Sequence, residues 1–252
     1  MGLTHGWTAV MRDRIHNLDL SIPSHAEIYE RALEETIMHS ELDYVNGKPK
    51  PEKNPYRDTA LKRTVGIGFN MDGAGAETEW TAAFGGSISF DDVLSGQRKL
   101  EMHEAIKLLR ACIKTRRAEI LRYFKDTWHP LKANEKLAIE ELFFNGPNLI
   151  RHYDKESCKT TPTNFTENMK LYAIHKDIKY LHEAIKEISE RSNRSKTPGI
   201  QTRRIAEAEL LSSDKCPLYS KPGEPYIPKD GAIQITIGET ILPYKHENRL
   251  LA

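Results

Sequence analysis

Apolar positions recur at helical spacing in several windows. Ile28, Ala32, Leu33 and Ile37 predict a first helix that opens at Ser24, where Ser24 and Glu27 have the spacing of a capping box. Glu41 falls four residues after Ile37 and so emerges on the apolar face at the end of that helix. Asn46-Gly47 marks a hairpin tip inside a lysine- and proline-rich stretch over 45–55. The alternation of Val65 and Ile67 with Gly66 and Gly68 predicts a strand over 64–69 whose bare face lets something approach closely. A second strand-like piece covers 86–90, with Ser89 or Asp91 available to cap the next helix. The pattern is then mostly helical over 92–124, with Ala105, Leu108, Leu109, Cys112, Ile113 and Ile120 as core candidates, until Pro130 interrupts it. A helix over 132–144 ends at the stop signal Asn145-Gly146-Pro147. Two more helices are predicted over 165–190 and 198–211, the last opened by Thr197-Pro198.

This pattern divides the chain into an arm at 1–23, a body at 24–212 and an extension at 213–252. The extension carries Pro217, Pro222, Pro225 and Pro228, then Asp230-Gly231 and the alternating run from Ile233 to Ile237. That run reads as a β appendage too small to be stable alone. A content of 38% hydrophobic and 29% charged residues is that of a globular domain, and 252 residues suffice for a core. No apolar run approaches the ~18 to 20 residues needed to cross a bilayer. The first residues lack a basic stretch followed by an apolar core, so no secretory signal is expected. Gly6 stands where a myristoylation motif requires Ser or Thr. Cys112, Cys158 and Cys216 are odd in number and far apart, which argues for reduced thiols and against both a disulfide framework and a metal cluster. The net charge of +1 hides an asymmetry. Residues 24–95 carry 13 acidic and 7 basic side chains, whereas 98–136 carry 11 basic and 5 acidic. A basic face of this kind is ordinarily a solvated surface, but it also attracts anionic polymers.

Two motif fragments lead nowhere. Gly66-Ile67-Gly68 lacks the third glycine of a dinucleotide fingerprint, since position 71 is Met71. His103-Glu104 and His182-Glu183 each meet a lysine where a zinc-binding helix needs its second histidine. What remains is Glu41, Asp58 and Thr64. Glycoside hydrolysis needs a carboxylic acid to protonate the leaving oxygen, and often a second carboxylate to stabilise positive charge or activate water. A glutamate on an apolar helix face suits the first task, because desolvation keeps it protonated. Asp58, in a polar loop, suits the second, and the Thr64 hydroxyl would orient the water. On composition alone the same residues read more readily as a helix-end glutamate and a turn aspartate.

Glu41, followed by Tyr56-Arg57-Asp58-Thr59 and then Thr64-Val65-Gly66-Ile67-Gly68, resembles the phage-type lysozymes, the muramidases used as endolysins by tailed phages. Ala138-Ile139-Glu140-Glu141-Leu142-Phe143-Phe144-Asn145-Gly146 is similar to that family's central buried helix. Thr197-Pro198-Gly199-Ile200-Gln201-Thr202-Arg203-Arg204-Ile205-Ala206-Glu207 is similar to its closing helix, which carries paired arginines near the cleft. The resemblance runs over about residues 25–212. Three departures stand out: 17 positions separate Glu41 from Asp58, more than the family's usual interval; Phe69 replaces a frequent histidine; and the chain is nearly neutral where the family is often basic. Glu35 is the alternative acid, and His39 reads as a helix-surface residue.

The resemblance implies an α+β, lysozyme-like fold, with a small helix-plus-β-sheet lobe and a larger, mainly helical lobe flanking a cleft. It implies a peptidoglycan hydrolase acting, with inversion, on the β-1,4 bond between N-acetylmuramic acid and N-acetylglucosamine. Glu41, Asp58 and Thr64 would be catalytic. Gly66, Gly68, Phe69, Asn70, Arg203 and Arg204 would contact the glycan strand. No metal or cofactor is implied, nor a nucleic-acid partner, and a monomer is expected. Such a protein would be made in a bacterial host cytoplasm and would reach the wall through a holin or as part of a virion or injection apparatus. A lytic transglycosylase on the same fold and a non-catalytic wall-binding or virion structural protein are the rival readings.

Overall fold

A computed structural model describes residues 11–45, 48–58, 61–154, 159–194 and 198–211, together with two short strands at 218–219 and 227–228. The fold is mixed α and β: helices dominate and the sheets are small and antiparallel. Among the described residues, no helix is long and apolar enough to cross a membrane.

Residues 11–15 of the expected arm are helical, and Met11 and Ile15 are buried in the core. Helix α1 (Pro23–Glu41) follows, with Pro23 in its first turn and Ile22 as N-cap without a side-chain cap. The expected Ser24–Glu27 box is therefore not formed. Proline at the first helical position supplies the fixed φ and dispenses with one orphan N–H, which starts the helix one residue earlier. Tyr29, Ala32, Leu33, Thr36 and Ile37 face inward.

Strands β1 (Asp43–Val45) and β2 (Lys48–Lys50) pair as a hairpin on either side of Asn46-Gly47, a dipeptide that lies outside the described residues. Strands β3 (Glu52–Arg57), β4 (Arg63–Gly66) and β5 (Phe69–Asn70) form the main sheet in that order. The expected continuous strand over 64–69 is thus two strands and a tight turn. Gly66 and Gly68, at φ +65° and +66°, provide the left-handed geometry that folds β5 back so that Thr64 pairs with Asn70 and Val65 with Phe69.

Helix α2 (Ala76–Phe84) buries Trp80, whose indole N–H donates to the Ile88 carbonyl at 2.8 Å. Residues 86–90 are not a strand: Gly85 and Gly86 turn the chain, and Ser89 Oγ accepts from Asp92 N at 3.1 Å to cap α3 (Phe90–Leu94). Gly96 breaks that helix, and the reciprocal Glu101–Glu104 capping box opens the long helix α4 (Met102–Phe124). All six core candidates of this stretch are buried on it.

Helix α5 (Ala133–Asn145) is buried on every side, from Ala133 to Phe144. It packs against α1, α4 and the last helix. An unexpected hairpin, β6 (Arg151–Asp154) and β7 (Lys159–Pro162), comes next. The helix expected over 165–190 is two, α6 (Asn164–His175) and α7 (Ile178–Arg194), divided at Lys176, which sits at φ 53°. Helix α8 (Pro198–Leu211) completes the body. In the extension, β8 (Leu218–Tyr219) pairs with β9 (Ile227–Pro228); the expected strand at Ile233–Ile237 lies outside the described residues, as do Cys158 and Cys216.

Candidate active site

Helix α1 ends where Leu42 turns extended, leaving Glu41 as its last residue. The carboxyl of Glu41 reaches over the β4–β5 turn. A Cβ built on Gly68 would lie 2.5 Å from Glu41 Oε2 and 2.7 Å from its Cδ, so only glycine leaves room for the acid there. Arg203, from α8, approaches from the other side, with Nη2 3.3 Å from Glu41 Oε1. The same Nη2 donates to the Ser40 carbonyl at 2.6 Å, which satisfies an orphan acceptor in the last turn of α1. Nη1 of Arg203 donates to Asn145 Oδ1 at 2.5 Å.

Burial raises the Glu41 carboxyl above its ordinary range. Arg203 opposes that rise, the charge of Glu141 adds to it, and Arg116 opposes it more weakly. Desolvation is the largest of these effects, so the net direction is upward.

Asp58 follows β3 at the opening of a tight loop. Its N–H donates to the Lys62 carbonyl at 2.9 Å, and its Oδ1 accepts from Lys62 N at 2.9 Å. Leu61, within the loop, is held at φ 61°, a conformation a leucine adopts only when its surroundings impose it. Asp58 Oδ2 accepts from Thr64 Oγ1 at 3.4 Å. Thr64 is 4% exposed, on the strand that leads to Gly68. Four residues of chain at ~3.3 Å each bound the Thr64-to-Gly68 separation at ~13 Å. The hydroxyl held by Asp58 and the glycine beneath Glu41 therefore belong to one hairpin.

Of the nine residues singled out in sequence, the structure brings together Glu41, Gly68 and Arg203 in one cluster and Asp58 and Thr64 in another. Asn70, exposed, pairs with Thr64 across the strands and caps the Asp72 N–H through its Oδ1. The other three point elsewhere. Gly66 faces the core: its imagined Cβ meets Leu100 Cδ2 at 3.1 Å and Ala105 Cβ at 3.3 Å, so this glycine admits the start of α4, not a substrate. Phe69 is 3% exposed, with its ring 5.9 Å from Trp80, because the turn reverses the face it would have presented on a continuous strand. Arg204 is 5% exposed and ion-paired to Glu207 at 2.7 Å on the interior side of α8. Glu35, the alternative acid, pairs with Arg14 at 3.5 Å and belongs to neither cluster. His39 is half-buried, and desolvation lowers it to about 4, so it is neutral near pH 7.

Sequence reasoning missed Glu141 and Asn145. Both lie beneath the acid, with Ser40 Oγ donating to Glu141 Oε1 at 2.8 Å and Asn145 Nδ2 to the same oxygen at 2.5 Å. The signal was available, since consecutive glutamates at 140 and 141 beside Ala138, Ile139, Leu142 and Phe143 must find partners when that helix is buried. Among the described residues, no group of His, Cys, Asp and Glu is placed to hold a metal ion.

No protein-family model and no curated protein matches the chain. Geometry and residue chemistry therefore carry the functional reading.

Proposed function

We propose that the chain is a glycoside hydrolase in which Glu41 is the general acid and Asp58 with Thr64 handles the water. Within that class, the phage-type muramidases fit best, with a lysozyme-like fold and the glycan strand of peptidoglycan as substrate. One observation carries the reading: a carboxyl that burial pushes above its ordinary range rests on Gly68, while the Asp58 side chain accepts from a threonine hydroxyl on the same hairpin. Glu41 protonates the glycosidic oxygen as the bond to the anomeric carbon breaks. Asp58 stabilises the developing positive charge or takes the proton of a water that Thr64 orients. Arg203 keeps the acid in place by holding both its carboxyl and the end of its helix. Access to the wall would come from a membrane-permeabilising partner or from carriage in a virion or injection apparatus.

Purified peptidoglycan is the test. The full chain should release new reducing ends, and Glu41→Gln should lose roughly 10²–10⁴ in rate, the usual worth of general acid catalysis. Thr64→Ala and Asp58→Asn should fall as well, while Glu35→Gln should remain close to the parent. Anhydro-sugar ends in place of reducing ends would assign the chain to the transglycosylases. Binding to sacculi without cleavage would make it a wall-binding protein. Clearing by Glu41→Gln at the parent rate would refute the assignment of the acid.

A further inference from the structure

The proposed reaction gives no task to Glu141, a carboxylate on α5 whose side chain has no exposed surface. Its Oε1 gathers three groups: Ser40 Oγ at 2.8 Å, Asn145 Nδ2 at 2.5 Å and, as an ion pair, Arg203 Nε at 3.9 Å. Its Oε2 is equally buried and accepts from no nitrogen or hydroxyl among the described residues. Glu207 lies beside it, pushed well above the ordinary carboxyl range by desolvation first; Arg204 opposes that rise, and the charge of Glu141 adds to it.

Two carboxyl groups thus face one guanidinium. A buried arginine facing Glu41 alone would favour its ionised form and remove the proton the reaction consumes. Here the donors of Arg203 are spread over Asn145, the Ser40 carbonyl and Glu41, with Glu141 close against Nε. The charges that act most on Glu41 are Arg203 from α8, Glu141 from α5 and Arg116 from α4, and Gly68 of the β4–β5 turn lies against its carboxyl.

We propose that Glu141 is a positioning residue of this site, which holds Ser40, Asn145 and Arg203 in one network and takes up part of the arginine's charge, so that Glu41 keeps the proton it donates. This rests on Glu41 being the acid, and the test separates the two claims.

The test is a carbon-13 titration of the side-chain carboxyls in the full chain, with the Glu41 signal assigned by its loss in Glu41→Gln. Glu141→Gln retains an acceptor for Ser40 and Asn145 but removes the charge. It should lower the Glu41 midpoint by about one pH unit, a tenfold change in ionisation constant. Arg203→Gln should move the midpoint the other way. The alkaline limb of kcat/KM on peptidoglycan should follow the titration in both variants, with KM little changed. An unmoved Glu41 midpoint in a Glu141→Gln chain of native circular dichroism would overturn the inference, as would a downward shift in Arg203→Gln. Midpoints that move as stated in a chain that cleaves no glycan would leave the network standing and sink the muramidase reading.

Discussion

Gly66 and Gly68 share a backbone conformation and differ in what they touch, which makes them a matched pair for a decisive substitution. An alanine at either site meets the same left-handed strain, ~1–2 kcal/mol. At Gly68 the added Cβ would stand 2.5, 2.7 and 2.9 Å from Oε2, Cδ and Cγ of Glu41. Ordinary carbon contacts begin near ~3.5 Å, so the carboxyl must retreat by ~1 Å. The displaced atoms are the free end of a flexible side chain, so stability should fall by little more than the strain. Activity should not be spared, because a ~1 Å misplacement of a reacting group can cost ~10²-fold. At Gly66 the Cβ would press on Leu100 Cδ2 at 3.1 Å and Ala105 Cβ at 3.3 Å, not on the acid. Overpacking there adds ~1–3 kcal/mol to the strain while leaving the chemistry intact. Thermal unfolding and initial rates of reducing-end release from purified peptidoglycan, measured on both variants, give the comparison. Gly66→Ala should be the less stable protein with near-parent kcat, and Gly68→Ala the more stable one with kcat down ~10²-fold. The reasoning fails if a folded Gly68→Ala keeps the parent kcat, or if both variants lose activity in the same ratio.

The remaining expectations concern pH and the buried charges. With Glu41 as the proposed acid and its pKa raised, kcat/KM should fall as pH rises through that value, and a profile with no alkaline limb would contradict the proposal. His39 titrates lower in the fold, at about 4 against an ordinary 6.5, so its contribution to stability is complete above 6.5 and is lost as pH falls towards 4. Denaturant titrations of His39→Gln across that window should show a flatter slope than the parent. Arg117 donates paired hydrogen bonds to Glu30 and to Glu140, and the Glu140 side chain is only 5% exposed. Arg117→Met should therefore cost ~2–4 kcal/mol by stranding a buried carboxylate, and adding Glu140→Leu should recover most of it. Equal melting temperatures for single and double variants would contradict this account.

The helical body could be read in the sequence because its apolar spacing is regular and its stop signals are local. The end of α1 at Glu41, the start of α8 at Pro198 and the interior positions of α4 were visible for that reason. Two of the errors share a cause, which is backbone dihedrals that pattern alone does not encode. Val65 and Ile67 alternate as in a strand, yet two left-handed glycines make that stretch a hairpin and carry Phe69 into the core beside Trp80. Lys176 breaks a helix that periodicity would continue, with no proline or glycine to announce it. Arg203 and Arg204 are adjacent in sequence, but a helix turns successive side chains through about 100°. One therefore meets Glu41 and the other Glu207, and nothing in the pair itself says which. Glu141 was legible as a charge on a helix buried on every side, but two of its partners, Ser40 and Arg203, come from helices far along the chain.

The hairpin β1–β2 bears on the long interval between the two proposed catalytic carboxyls. Asp43 pairs with Lys50, so the eight residues of this excursion leave and rejoin the path at nearly the same point. Measured in space, the tether from helix to sheet is as short as if those residues were missing. Because the acid is seated by Gly68 and Arg203, and the aspartate by its own loop and Thr64, neither depends on the ribbon between them. Lengthening a detour whose ends already touch costs only a logarithm of its length. Such a segment is free to drift in size and sequence over generations while the chemistry on either side stays put.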